Sequence, residues 1–252
     1  MTITSRINPK VIAAASLSSK KKRDETGLYL IEGRKLFLEA VKRGADIQTV
    51  FVTEKMESEL ADILDRLNCE KYTVSDGVYE KLSLDKSPDG VICTAKKPQE
   101  YARGGNRPFI ICDMQDAGNL GTCIRTALAL GISPLILAGD CADVYNPKTV
   151  RASMGAVFSQ NIMHFADHES AIAYCRKNGF PVYAAALREN AKPISEVSKY
   201  QVVFAVGNEG HGLPEKTIDA CNGAVIIPME GDSESLNASA AAAILMWETR
   251  KI

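Results

Sequence analysis

Three short segments of this chain bring together residue types that chemistry uses. The first is Asp113-Met-Gln-Asp-Ala-Gly-Asn-Leu-Gly-Thr-Cys-Ile-Arg125. Asn119 and Gly121 shape the start of a helix there, and Arg125 follows less than two helical turns later, so its guanidinium can reach a group bound near that start. Taken alone, such an arginine fits a surface ion pair equally well. The second segment, Gly207-Asn-Glu-Gly-His-Gly212, follows the apolar run Val202 to Val206. Its three glycines let backbone approach a ligand closely. The spacing is not that of the dinucleotide fingerprint G-x-G-x-x-G, and no Lys-Ser/Thr follows as in a phosphate-binding P-loop. Glu209 is unusual among these glycines, because turning a chain requires no carboxylate. His211 reads as a polar turn residue. In the third segment the run Ile226-Ile227-Pro228-Met229 leads through a polar loop to Ser235 and Asn237, either of which can cap the helix that follows.

Each segment lies just past the carboxyl end of an expected strand, the edge at which parallel α/β sheets collect ligands. The elements that position them alternate along the chain. A short helix over 4–15 with Pro9 near its start precedes a polar, basic loop from Leu17 to Asp24. Strands are expected at Leu28–Ile31, Val50–Val52, Lys71–Val74 and Val91–Ala95, with helices from Gly33 to Gly44, Glu54 to Leu67 and Val78 to Leu82. Farther on, strands read at 109–112, 134–138, 156–165, 182–186, 202–206 and 224–227, with helices at 120–130, 170–177 and 236–249. This alternation defines an α/β protein. The polar stretch 99–107, with its Gly pair between Pro98 and Pro108, reads as a linker. It separates a smaller α/β domain, 1–98, from a parallel-sheet domain, 108–252.

The 252 residues are 46% hydrophobic and 24% charged, which excludes a disordered, collagenous or coiled-coil chain. No run is long and apolar enough to span a membrane and no signal peptide is evident, so a cytoplasmic protein is expected. The odd count of seven cysteines, with no C-x-x-C, suggests neither a disulfide framework nor a zinc knuckle. His164 and His168 stand at i, i+4 spacing without the Glu of H-E-x-x-H, so no metal is expected. Net charge is −1, yet residues 1–35 carry eight basic against three acidic side chains, a local +5. Arg6, Lys10, Lys20, Lys21, Lys22 and Arg23 would thus offer a polyanion a basic arm, although a solvated helix end or loop gives the same composition. Tyr29, Phe37 and Tyr79 could stack an unpaired base, but fit a core better.

In order and spacing the three segments resemble the SpoU–TrmH family of RNA 2′-O-ribose methyltransferases, within the knotted SPOUT superfamily. The resemblance rests on Asn119-x-Gly121-x-x-x-Arg125, on Gly207 to Gly212, and on Ile227-Pro-Met229 with Ser235-Leu-Asn-x-Ser239. Arg151-Ala-Ser-Met-Gly-Ala looks like a further family element. It covers 108–252 strongly, and more loosely the N-terminal part, where Glu32-Gly-Arg and Asp89-Gly-Val resemble a substrate-binding domain. The resemblance implies a deep trefoil knot that holds S-adenosylmethionine. Gly207, Ile227 and Leu236 would hold adenine and ribose through backbone, with Met229, Asn208, Gly210 and Gly212 lining the pocket. Arg125 would act at the ribose 2′-hydroxyl. Because arginine keeps its proton, holding the adjacent phosphate and stabilising the developing alkoxide suits it better than acting as a base. Glu209, Ser235 and Asn237 would orient arginine and hydroxyl, Asn119 would shape the loop, and Arg151 would contribute from the partner in a homodimer. Ribosomal RNA is favoured over tRNA as substrate. A catalytically silent RNA-binding relative in ribosome assembly is the alternative. A dehydrogenase lacks its acidic ribose-binding residue here, and the Asn-x-Gly-x-x-x-Arg pattern belongs to the ribose-modifying rather than the base-modifying branch.

Overall fold

The computed structural model describes residues 2–85, 88–98, 105–197, 201–230 and 235–249. Its first elements are β1 (Thr2–Ile3), α1 (Pro9–Ser16), α2 (Lys20–Thr26), β2 (Leu28–Glu32), α3 (Arg34–Lys42), β3 (Ile47–Val52), α4 (Glu54–Glu59), α5 (Ala61–Arg66), β4 (Glu70–Val74), α6 (Asp76–Leu82) and β5 (Val91–Lys96). There follow β6 (Phe109–Cys112), α7 (Ala117–Ala129), β7 (Leu135–Ala138), α8 (Pro147–Ala152), β8 (Ile162–Phe165), α9 (His168–Lys177), β9 (Val182–Ala185), β10 (Lys192–Pro193), β11 (Val203–Val206), α10 (Glu215–Ala220), β12 (Gly223–Ile226) and α11 (Ala238–Glu248). They form two compact units, residues 1–99 with 145–158, and residues 100–144 with 159–252. Among the described residues no helix is long and apolar enough to cross a membrane.

The first unit holds a five-stranded sheet ordered β1-β4-β3-β5-β2, in which only β5 runs against its neighbours. Leu30, Phe51, Val74, Val78, Leu82 and Ile92 fill its core with Ile3 and Val11 from the N-terminus. Tyr29, Phe37 and Tyr79 are buried there, which removes them as base-stacking surfaces. The basic stretch expected as a loop is instead helix α2. Its charges stabilise it at i, i+3 and i, i+4 spacing, Lys20 with Asp24 and Lys22 with Glu25, and Gly27 ends it in the left-handed conformation (φ 68°). Arg23 faces inward, 1% exposed, and donates to the carbonyls of Leu17 and Ser18 at 2.8 Å each. It is a structural residue and cannot meet a phosphate. The helix expected over Glu54–Leu67 is broken at Leu60 into α4 and α5.

Residues 145–158, assigned by sequence to the C-terminal domain, cluster with the first unit. There α8 starts on Asn146, whose side chain accepts from the Lys148 amide, and places Arg151 3.2 Å from Glu32 and 3.5 Å from Asp85. Glu32, its side chain only 8% exposed, also accepts from the amides of Leu84 and Asp85. Residues 99–104 of the expected linker lie outside the described residues.

The second unit is built on a seven-stranded, wholly parallel sheet ordered β10-β12-β9-β11-β6-β7-β8. Its central strands are four-residue apolar runs because both faces are covered. Ile110, Ile136, Val182, Ala184, Val203 and Ala205 lie in one buried cluster. The strand expected over 156–165 divides into a single 3₁₀ turn, Ala156–Phe158, and β8, which begins at Ile162. From β6 the chain builds outward through β7 and β8, then returns to the other side of β6 with β11 and β9. That reversal puts the loops leaving β6 and β11 side by side, at the crevice where such sheets bind ligands.

Candidate active site

Asp116 caps α7 by accepting from the Asn119 amide at 2.8 Å, so the Asn119 side chain projects from the first helical turn. Its Nδ2 donates to Glu209 Oε1 at 3.0 Å, and its Oδ1 accepts from Asn237 Nδ2 at 3.3 Å. Asn237 in turn caps α11, its Oδ1 accepting from the Ser239 amide at 2.9 Å and the Ala240 amide at 3.3 Å. A single hydrogen-bonded chain, Asn237 to Asn119 to Glu209, thus ties the three sequence segments together. Glu209, expected with Ser235 and Asn237 to orient arginine and hydroxyl, is bonded here to Asn119. Arg125 lies on the exposed face of α7 with no hydrogen bond or ion pair to any described residue. Its guanidinium is available to a ligand.

The 207–212 turn is closed by paired backbone hydrogen bonds between Asn208 and Gly212, 3.0 Å in each direction. Asn208 anchors it from within: Nδ2 donates to the Asp113 carbonyl at 2.8 Å, and Oδ1 accepts from the Gly210 amide at 2.7 Å. A Cβ on Gly207 would lie 2.3 Å from the Gly212 carbonyl carbon, so only glycine fits where the two sides of the turn meet.

Between this turn and the loop after β12 lies a cavity of about 430 Å³. Among its wall residues are Gly207 to Gly212, Ile227, Met229, Ser235 and Leu236. Every cofactor-binding residue expected from sequence is therefore on this wall, together with Glu209 and Ser235. Sequence reasoning missed several wall residues, among them Ala185, Ala186 and Leu187. Their signal was available: Ala185 ends β9, the strand beside β11, and Ala186 and Leu187 follow it at the same sheet edge. Arg151 is engaged with Glu32 and Asp85 in the first unit. Arg6 and Lys10 pair with Glu80 and Glu70, while Lys20, Lys21 and Lys22 are exposed along α2.

The thiols are poor nucleophiles. Burial pushes Cys123 up to about 12, with the charge of Glu209 adding to it, and Cys141 up to about 11. No group of His, Cys, Asp or Glu able to hold a metal occurs among the described residues. His168 is engaged otherwise, its Nδ1 2.7 Å from Thr217 Oγ1.

A parallel α/β unit whose loops after β9, β11 and β12 line a small-molecule cavity at the carboxyl edge of its sheet has the layout of a ligand-binding α/β domain. The chain belongs to the SpoU rRNA methylase family, whose profile matches residues 108–247; residues 8–93 match an MRM3-like substrate binding domain. The 23S rRNA (guanosine(2553)-2′-O)-methyltransferase RlmP of Bacillus subtilis is 30% identical over 249 residues, 98% of each chain. The AdoMet-bound rRNA methyltransferase of Sinorhizobium meliloti superposes with a TM-score of 0.86 at 31% identity, covering 99% of this chain and 97% of that one. The SpoU methyltransferase AviRb of Streptomyces viridochromogenes, in complex with AdoMet, gives 0.84 at 26% identity over 96% and 97%.

Proposed function

We propose that this protein transfers a methyl group from S-adenosylmethionine to a ribose 2′-hydroxyl of RNA, ribosomal RNA in preference to tRNA. The observation that carries the reading is the chain from Asn237 through Asn119 to Glu209, which joins three loops beside one cavity. The cavity fits the cofactor. At about 430 Å³ it lies within the ~300–1,000 Å³ of small-ligand sites. Gly207 stands on one wall without a side chain of its own, and Ala186, Ile227 and Leu236 offer an apolar lining suited to an uncharged purine. The backbone of Gly207, Ile227 and Leu236 would hold adenine and ribose, and Met229 would pack beside them. The trefoil crossing implied by the resemblance belongs to the same reading.

S-adenosylmethionine supplies an activated sulfonium methyl, so the chain's own task is to orient the hydroxyl and remove its proton. Arg125 holds the phosphate next to the target ribose and stabilises charge developing on the 2′-oxygen. Glu209 is fixed through one oxygen by Asn119, and its second carboxylate oxygen takes the hydroxyl proton. Ser235 and Asn237 line up the nucleotide. The exposed lysines of α2 add phosphate neutralisation from the substrate-binding domain. Half-exposed Trp247 and exposed Ile244 on α11 support a homodimer, in which Arg151 would serve the partner's site. Seven free cysteines suit a reducing cytoplasm.

The test is calorimetric titration with S-adenosylmethionine, followed by transfer of labelled methyl groups to ribosomal RNA. Arg125→Ala should lower transfer at least 100-fold with cofactor affinity unchanged, and Glu209→Gln should lower the saturated rate. Full turnover by Arg125→Ala refutes its role. Binding of RNA without cofactor or transfer would instead establish the silent assembly factor.

A further inference from the structure

His168 is a buried polar residue that the transfer chemistry leaves unused. It is the first residue of α9, 8% exposed, and both ring nitrogens face polar groups. Nδ1 lies 2.7 Å from Thr217 Oγ1, itself 1% exposed on α10. Nε2 lies 2.9 Å from Asp113 Oδ2, close but without the alignment of a hydrogen bond. Asp113 directly follows β6 in the left-handed region (φ 51°), tolerable for an aspartate but costly for most residues. Its Oδ1 accepts from the Asp140 amide at 2.7 Å. The meeting point needs Gly139, where a Cβ would fall 2.2 Å from Asp113 Oδ1 and 2.7 Å from His168 Nε2.

The two ends of this bridge flank the glycine turn. The Asp113 carbonyl receives Asn208 Nδ2, at the start of the turn. Thr217 belongs to the helix that begins three residues after the turn closes at Gly212, and its neighbour Ile218 lines the cavity. From these contacts we infer that Asp113, His168 and Thr217 form a positioning relay that clamps both ends of the 207–212 turn and presets it for S-adenosylmethionine. His168 touches neither cofactor nor RNA; it acts through Asn208 and α10. This inference rests on the reading of the cavity as the cofactor site.

The full-length protein tests it through paired substitutions at Thr217, titrated calorimetrically with S-adenosylmethionine. Thr217→Val, which keeps shape but removes the hydroxyl, should raise the dissociation constant about 10-fold. The rate at saturating cofactor and RNA should stay within about twofold. Thr217→Ser restores the hydroxyl and should return affinity to within about threefold of the unaltered chain. His168→Ala should weaken binding at least as much, and the double variant His168→Ala with Thr217→Val no further, because both break one relay. Equal effects of Val and Ser would assign Thr217 a packing role and overturn the relay. So would fully additive losses, or a fall in saturated rate with affinity unchanged. Should the unaltered chain itself fail to bind S-adenosylmethionine, the cofactor reading falls and the relay with it.

Discussion

Gly207→Ala offers a sharp test of the cavity wall. An alanine Cβ there would stand 2.3 Å from the Gly212 carbonyl carbon, 2.4 Å from its oxygen and 2.5 Å from the Leu213 nitrogen. All three are backbone atoms, so no side chain can swing aside. Ordinary contact begins near ~3.5 Å, so the turn must open by about 1 Å. That movement disrupts the two Asn208–Gly212 hydrogen bonds, each 3.0 Å long. Overpacking of this kind costs ~1–3 kcal/mol, and each lost hydrogen bond adds ~1 kcal/mol. The turn lies at the rim of the sheet, so it can open without unfolding the domain. Binding should therefore bear most of the cost: a loss of ~2–3 kcal/mol corresponds to a roughly 30- to 150-fold weaker complex with S-adenosylmethionine. Calorimetric titration reads the affinity, and urea unfolding checks that the fold persists. Two neighbouring glycines serve as controls. A Cβ on Gly210 meets only Asn208 Oδ1 at 3.4 Å, so Gly210→Ala should bind within threefold of the unaltered chain. Gly212 has open space but a φ of +65°, and Gly212→Ala carries only the left-handed backbone penalty of ~1–2 kcal/mol. Affinity of Gly207→Ala within threefold of the unaltered chain, or equal losses at all three glycines, would refute the steric argument.

The basic N-terminal stretch separates into two behaviours. Arg23→Met should cost about 3 kcal/mol in urea unfolding, because two carbonyls lose a buried charged donor; a loss below about 1 kcal/mol would contradict that reading. Reversing Lys20, Lys21 and Lys22 to glutamate should leave stability within ~1 kcal/mol, since these pairs are exposed. The same triple variant should weaken RNA binding and flatten its salt dependence. An unchanged salt slope would remove these lysines from the RNA surface. Sedimentation at low concentration should show a dimer that Trp247→Glu dissociates, and a fully active monomer would rule out a shared site.

Much of the architecture was legible locally. Four-residue apolar runs such as Phe109–Cys112 and Val203–Val206 announce buried parallel strands through composition alone. Gly44 and Gly131 end helices, each with a φ near +70°. The Asn-Pro signature that opens α1 at Asn8-Pro9 recurs at Asn146-Pro147 and marks α8, an element that went unread for want of an apolar stripe. Helix α2 escaped for the same reason: its buried residue is an arginine, and hydropathy assigns Arg23 to solvent. Only the burial of its alkyl stem and two carbonyl acceptors reverses that assignment.

At the candidate site, the 207–212 turn and the capping of the last helix by Asn237 were legible as local physics, whereas the roles of Asn119, Arg125 and Ile227 came from the resemblance in order and spacing. What each residue bonds to was decided by the sheet. Glu209 and Asn119 stand 90 positions apart and meet because the strand order reverses between β6 and β11. Asp113, His168 and Thr217 come from three segments with no shared periodicity, and no spacing rule connects them. Local sequence sets the conformation available to each loop. Which side chains then compensate one another's buried polar groups depends on strand order, a property of the assembled sheet.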